Sequence, residues 1–402
     1  MDQDAREYPF QRTGTVGQEH FWDREQERRS LERLITGGEI GFVEGPRRVG
    51  KSSLALVVKQ QLETRGVCRI AYLNLRSVTS ASFPDRLVTA VASLAHRNPL
   101  MQATDRLRGM LGWFRVLPEL VGGFDDQGQP QASLRFQQFR REDEGAVLED
   151  TLRLLAQAPK HAQTKVALIL DEFQEVLTLA PLLPNLLKAS FQSGQNTAVV
   201  LMGSRQTLMR DIACSPSAPL YRIGPSIPVG VLPRQVVRDE ITKRFEWLHI
   251  TLAAGLPDTI YDVSDGIAQD IQTVCSMLLD RARIEGWREI NGDQLSLVLD
   301  EVLREVSPRF VDKWLDLSPI QQELLAAIAP YGGRTITSQA FLDRLNPHQR
   351  RTSAAVLKAA KALKDHDILQ SGERGYRFGD PFFALYLRKV VVAPIPDIGL
   401  IS

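Results

Sequence analysis

Residues 44–53 read EGPRRVGKSS, directly after the apolar run Ile40-Gly41-Phe42-Val43. Gly45, Gly50, Lys51 and Ser52 fit the spacing G-x-x-x-x-G-K-S. Glycines at these places let backbone N–H groups turn inward around phosphate oxygens. A helix starting near Lys51 adds the positive end of its dipole. Lys51 is then placed to reach the β- and γ-phosphates, and Ser52 to offer its hydroxyl to Mg²⁺. The expected phosphate cradle is Gly45, Pro46, Arg47, Arg48, Val49, Gly50, Lys51, Ser52 and Ser53. A glycine turn before an ordinary helix is the plain alternative. The strand pattern before the loop and the helix pattern SLALVVKQQLETRG (53–66) after it favour phosphate.

A phosphate loop of this kind needs a carboxylate on a neighbouring strand to hold the cation through water. KVALILDEF (165–173) is a buried-strand pattern ending in two acids. Asp171 takes the metal role with Ser52, and Glu172 faces the γ-phosphate to orient or deprotonate the attacking water. A complete strand and helix lie between loop and acids, so the acid strand is expected not to neighbour the loop strand. TAVVLMGS (197–204) supplies the strand between them, with Ser204 at its polar tip as a candidate contact for γ-phosphate or water. Arg205, Arg210 and Arg222 follow, and Arg222 is the first choice for an arginine finger, in cis or toward a neighbouring subunit. The catalytic candidates are therefore Lys51, Glu172, Ser204 and Arg222. The inserted strand and Glu172 argue against a kinase of small metabolites.

The 402 residues predict more than one domain. Net charge is +1, so any basic surface is local. Cys68, Cys214 and Cys275 are scattered and read as buried thiols in a reducing cytoplasm. No apolar signal core or membrane-length run is present, so a cytoplasmic protein without a membrane partner is expected. Strands alternating with helices predict a parallel sheet covered on both faces. The expected segments are 1–39 flanking the nucleotide, 40–233 the core, 234–316 a helical lid, 317–390 a winged helix and 391–402 a tail. A helix is expected around residues 24–34, helical pattern over 83–117, and a hairpin over 118–136 with DDQG as its turn.

Residues 317–390 carry their own pattern. SPIQQELLAAIAP, TSQAFLDRL and HQRRTSAAVLKAAKALKDH read as three helices, and ILQSGERGYRFGD as a hairpin with GERG at its tip. This is a winged helix-turn-helix order. Residues 334–389 hold eleven basic and five acidic residues. Arg350, Arg351, Lys358, Lys361 and Lys364 fall on the expected recognition helix and Arg374 on the wing tip. Two readings stand: contact with duplex DNA through phosphates and groove, or docking of a protein. FFALYLR (382–388) reads as the helix that seals the module.

The chain resembles the archaeal-type ATPases of the STAND branch of the AAA+ superfamily, relatives of the origin-recognition ATPases. The resemblance rests on YPF (8–10), Val16, HFWDREQE (20–27), GPRRVGKSSL (45–54), the hairpin, LILDEFQE (168–175), VVLMGSRQTLM (199–209), SAPLYR (217–222), SDGIAQDIQTVC (264–275) and YRFGDPFFALYLRK (376–389), in that order. It implies a P-loop αβα sandwich with a five-stranded parallel sheet, a helical lid and a C-terminal winged helix. It further implies ATP and Mg²⁺ as ligands, with Val16, Phe21 and Trp22 near the adenine. Two positions depart from the family pattern. Asp23-Arg24-Glu25 stands for the family's GRE-like triplet, and Gly266-Ile267-Ala268 for its glycine–x–proline lid contact. Residues 265–273 hold no arginine, which implies slow turnover. The function so implied is a nucleotide-dependent switch that hydrolyses ATP, with duplex DNA, a protein partner or a second copy as what it engages. The alternative is a signal-transducing or scaffold ATPase acting through protein contacts alone.

Overall fold

Five apolar runs pair into one parallel sheet: β1 (Ile40–Glu44), β2 (Cys68–Asn74), β5 (Lys165–Asp171), β6 (Thr197–Gly203) and β7 (Ser226–Pro228). The computed structural model describes residues 8–12, 14–95, 114–116, 119–124, 130–136, 141–162, 164–190, 196–204, 209, 212–213, 215–345, 351–372 and 375–392. The chain divides into two units, Thr15–Gly230 and Met1–Gly14 with Val231–Ser402.

In the first unit the strand order is β2-β5-β6-β1-β7. The acid strand is separated from the loop strand by β6, as the intervening strand and helix led us to expect. Residues 166–170 of β5 and all of β6 are buried, the near-continuous apolar pattern of strands covered on both faces. Helices α1 (Glu25–Gly37) and α2 (Lys51–Thr64) pack together, and α1 also lies against β6 and β7. Gly41 is where α1 meets the sheet, for a Cβ there would fall 2.1 Å from Leu34 Cδ1. The other face carries α3 (Phe83–Ala95), α4 (Glu144–Ala162) and α5 (Leu183–Ser190), whose Leu87, Val91, Leu148, Leu152 and Leu187 share a core with Phe42, Leu168, Leu170 and Leu201.

The hairpin β3 (Glu119–Phe124) and β4 (Pro130–Arg135) is antiparallel and stands outside the main sheet. Its base is tied to α3 by hydrogen bonds from Leu134 N to Thr89 Oγ1 (2.9 Å) and from Phe136 N to Asp85 Oδ1 (2.9 Å). The expected turn and residues 96–113 of the expected helical stretch lie outside the described residues, while residues 114–116, also expected to be helical, are not: Arg115 N donates to Asp150 Oδ2 at 2.9 Å instead.

The second unit is built from α6 (Arg234–Trp247), α7 (Leu256–Ser264), α8 (Ala268–Glu285), α9 (Gly292–Leu315), α10 (Pro319–Tyr331), a short helix Gln339–Leu342, α11 (Ser353–Asp365), hairpin β10 (Leu369–Gly372)–β11 (Gly375–Phe378), and α12 (Pro381–Tyr386). A two-residue parallel pair, β8 (Thr251–Leu252) with β9 (Glu289–Ile290), interrupts the region expected to be wholly helical. Residues 8–12 pack in this unit: Phe10 lies 5.1 Å from Phe245, and Arg244 Nη1 donates to Pro9 O at 2.8 Å. The first 39 residues are thus shared between the two units. Phe383 of α12 is fully buried, 5.1 Å from Phe310 of α9, so these two helices share an aromatic core. Arg377 of β11 pairs with Asp265 beyond α7 at 3.3 Å.

The helix expected to serve in recognition begins later than the sequence pattern implied. Thr352 caps α11, its hydroxyl accepting from Ala355 N at 3.2 Å, so Arg351 precedes the helix. Cys68 and Cys275 are buried free thiols, and Cys214 lies outside the described residues. Among the described residues no helix is long and apolar enough to cross a membrane.

Candidate nucleotide site

The register places the loop, Asp171, Glu172 and Ser204 at one sheet edge. Glu44 pairs with Gly203, and Leu170 with Leu201, so the ends of β1, β5 and β6 finish level. The loop after Glu44, the acids after Leu170 and Ser204 after Gly203 therefore emerge side by side. The carboxyl ends of parallel strands are where such sheets take ligands.

The loop is held by close approaches that need its glycines. A Cβ on Gly45 would fall 2.0 Å from Val229 O, a backbone atom that cannot yield cheaply. Gly50 has φ 103° and starts α2 without a side-chain cap. Arg48 takes the left-handed region as well, at φ 67°. Arg24, buried and left-handed at φ 65°, donates to Val49 O at 2.8 Å and Gly230 O at 2.7 Å. Val16 N donates to Ser53 Oγ at 3.1 Å. We expect Gly45→Ala to cost about 1–3 kcal/mol by overpacking, read as a fall of several degrees in Tm. Gly230→Ala, with open space around its Cβ, should leave Tm unchanged.

Lys51 is buried, and its Nζ donates to Gly45 O at 2.9 Å and Pro46 O at 2.6 Å. Burial pushes its pKa down to about 8, against the pull of the Glu172 and Asp171 carboxylates, with Arg47 and Arg24 adding to the fall. An ammonium so placed lacks a full counter-charge, which a phosphate would supply. Arg47 brings further positive charge to Lys51 and Glu172, and its Nε is buried without a hydrogen-bond partner among the described residues.

Ser52 Oγ donates to Asp171 Oδ2 at 2.6 Å. That bond uses the hydroxyl proton and leaves the oxygen lone pairs for a cation. These hard oxygen donors fit Mg²⁺, which takes one or two protein ligands together with substrate phosphates. Among the described residues no cluster of three or more His, Cys, Asp or Glu offers an all-protein cage instead.

Glu172 sits in the left-handed region, φ 56°, and its Oε2 accepts from Ser204 Oγ at 2.8 Å and from Gln174 Nε2. Burial alone would raise its pKa. The Ser204 and Gln174 hydrogen bonds and the Lys51 and Arg47 charges outweigh burial and hold the carboxyl below the usual range. A charged acceptor therefore stands at the edge where a water would meet the terminal phosphate. Gln174 is buried, and its Oε1 also accepts from Ser204 N at 3.4 Å, so it ties the acid strand to β6. Sequence reading passed over it. Its signal was a polar residue two places beyond the acid pair, directly after Phe173. Tyr72 was missed too: its phenol donates to Asp171 Oδ2.

Arg222 does not join this constellation. Gly224 packs on Ile40 O and Pro225 O accepts from Phe42 N, so the approach to β7 runs past the start of β1, opposite the loop. Arg222 is exposed there, stacked 5.2 Å over Tyr221. Parallel strands put what precedes β7 at the amino edge of the sheet, so an in-cis finger at this position is excluded by topology. Arg205 and Arg210 lie outside the described residues. Trp22 is buried and Phe21 half-buried within the first unit.

In the second unit Lys358 and Lys361 are exposed on α11. Arg351 is instead engaged by Glu323 through Nε at 2.9 Å and Nη2 at 2.7 Å. A bidentate partner of this kind competes with any phosphate. Arg350 and Arg374 lie outside the described residues.

This sheet order, loop and acid edge define an AAA+-like P-loop ATPase fold with a C-terminal winged helix. The profile of the ATPase domain found predominantly in Archaea matches residues 21–274, and the chain belongs to that family. The profile of a probable winged helix domain matches residues 308–389. In structure the chain is similar to the Walker-type ATPase PABY2304 of Pyrococcus abyssi, with 18% identity over 94% of this chain and 99% of that one and a TM-score of 0.64. It is also similar to the ORC2 protein of Aeropyrum pernix in its ADPNP–ADP complexes, with 15% identity over 90% and 91% and a TM-score of 0.52. No curated protein matches the sequence.

Proposed function

We propose that this protein binds ATP with Mg²⁺ at the loop of residues 45–53, hydrolyses it, and acts as a nucleotide-dependent switch with the winged helix as its output. The observation that carries the reading is the Ser52–Asp171 bond of 2.6 Å beside Glu172, itself held by Ser204. Lys51 and the loop amides bind the β- and γ-phosphates, Ser52 and Asp171 hold the cation, and Val16, Phe21 and Trp22 flank the base. Bound Mg²⁺ would neutralise charge on the phosphates during transfer. Glu172 orients the water and accepts its proton, and Ser204 fixes Glu172 and senses the γ-phosphate. An arginine acting from position 222 would have to come from a neighbouring copy. The nucleotide complexes of the similar ORC2 protein support the ligand class.

For the output we propose duplex DNA, contacted by Lys358 and Lys361 on α11 and by Arg350 and Arg374, which lie outside the described residues. The local basic excess in a chain of net charge +1 supports this. One observation favours protein docking instead: Leu357, immediately before Lys358 on the same helix, is 47% exposed, and Arg351 is already paired. The two readings separate in one titration. Under the DNA reading, wild type binds duplex DNA at low salt, and Lys358→Glu/Lys361→Glu weakens binding at least about tenfold and flattens the salt slope by roughly 2. Absence of duplex binding at low salt favours the docking role.

A further inference from the structure

Strands β2 and β5 run side by side, with Asn74 opposite Asp171 and Tyr72 opposite Ile169. From β2 the Tyr72 side chain reaches the end of the acid strand, where its phenol donates to Asp171 Oδ2. The same oxygen accepts from Ser52 Oγ, while Oδ1 accepts from Glu172 N at 2.8 Å. An ionised carboxylate offers about four acceptor sites. Three are taken here by the chain's own donors, two on Oδ2 and one on Oδ1. The remaining acceptor is therefore on Oδ1, and a carboxylate gripped from both ends cannot rotate to offer another.

We propose that Tyr72 is a positioning residue for the metal site: it locks Asp171 so that its remaining acceptor meets a single water of the bound cation. It thereby sets the Mg²⁺ concentration at which the metal–nucleotide complex forms. The inference rests on the reading of Ser52 and Asp171 as the metal-holding pair. Without the phenol, Oδ2 keeps only Ser52, and the carboxylate is free to turn away from the water it must hold. Partners that orient metal-holding groups are worth about 10–100-fold in metal affinity.

The test uses the full chain and a fluorescent ATP analogue, titrated in EDTA and across Mg²⁺ concentrations. Tyr72→Phe keeps the ring and removes only the hydroxyl. The expected result is a rise of about tenfold or more in the Mg²⁺ midpoint, with affinity in EDTA and Tm within error of wild type. A merely structural role would move Tm and the metal-free affinity and leave the midpoint alone. Asp171→Asn run in parallel separates two failures. If its midpoint moves and that of Tyr72→Phe does not, the role of Tyr72 is overturned and the metal site stands. If neither moves, Asp171 holds no metal, and both readings fall.

Discussion

Lys51→Ala is expected to lower ATP affinity at least about a hundredfold in calorimetry, a loss of about 2.7 kcal/mol. The size follows from where the ammonium sits. It is buried, its pKa is pushed down to about 8, and its polar contacts are two carbonyls of its own loop. Those carbonyls are neutral and answer only part of the charge. The Glu172 and Asp171 carboxylates offset burial only in part, so on the proposed reading a triphosphate would supply the remainder and that attraction would be lost with the side chain. The substitution also leaves Gly45 O and Pro46 O without that donor, so Tm should be measured beside affinity. A folded variant that keeps wild-type affinity would place the triphosphate elsewhere.

Glu172→Gln should retain ATP binding while turnover falls about 10²–10⁴-fold, the range for losing a general base. Glutamine keeps the size of the side chain and can still accept from Ser204. It carries no charge and cannot take a proton from water. Ser204, Gln174, Lys51 and Arg47 hold the Glu172 carboxyl below its usual range against the cost of burial, so on the proposed reading the base would be charged before nucleotide arrives. Phosphate release in single turnover, at saturating ATP, reads the chemical step apart from binding. Unchanged turnover would remove Glu172 from the mechanism and leave its bonds to Ser204 and Gln174 as strand-end packing.

Much of this site is legible along the chain because its parts obey local rules. A phosphate loop must lie between a strand and a helix, and a metal-holding acid must end a buried strand. Those demands show in spacing and in apolar runs. The position of β6 between β1 and β5 was readable as well, from the strand and helix that separate the two motifs. Arg351 shows where such reading stops. Its charge and its place on the expected recognition helix suggested a free cation, but Glu323, 28 positions earlier, occupies its guanidinium. Arg222 shows the same limit. Its distance along the chain from the last strand was plain, while the edge of the sheet on which it lies was not.

By itself the sequence determined the loop, the two acids, the parallel sheet and the winged-helix order, because each depends on periodicity or on spacing within one or two elements. Tertiary structure alone decided which groups meet: Tyr72 with Asp171 across 99 positions, Gln174 and Ser204 with Glu172, and Arg24 with the carbonyls of Val49 and Gly230. The reason is that hydrogen bonds between strand ends depend on register and side-chain direction in neighbouring strands. Register is settled only when the whole sheet packs.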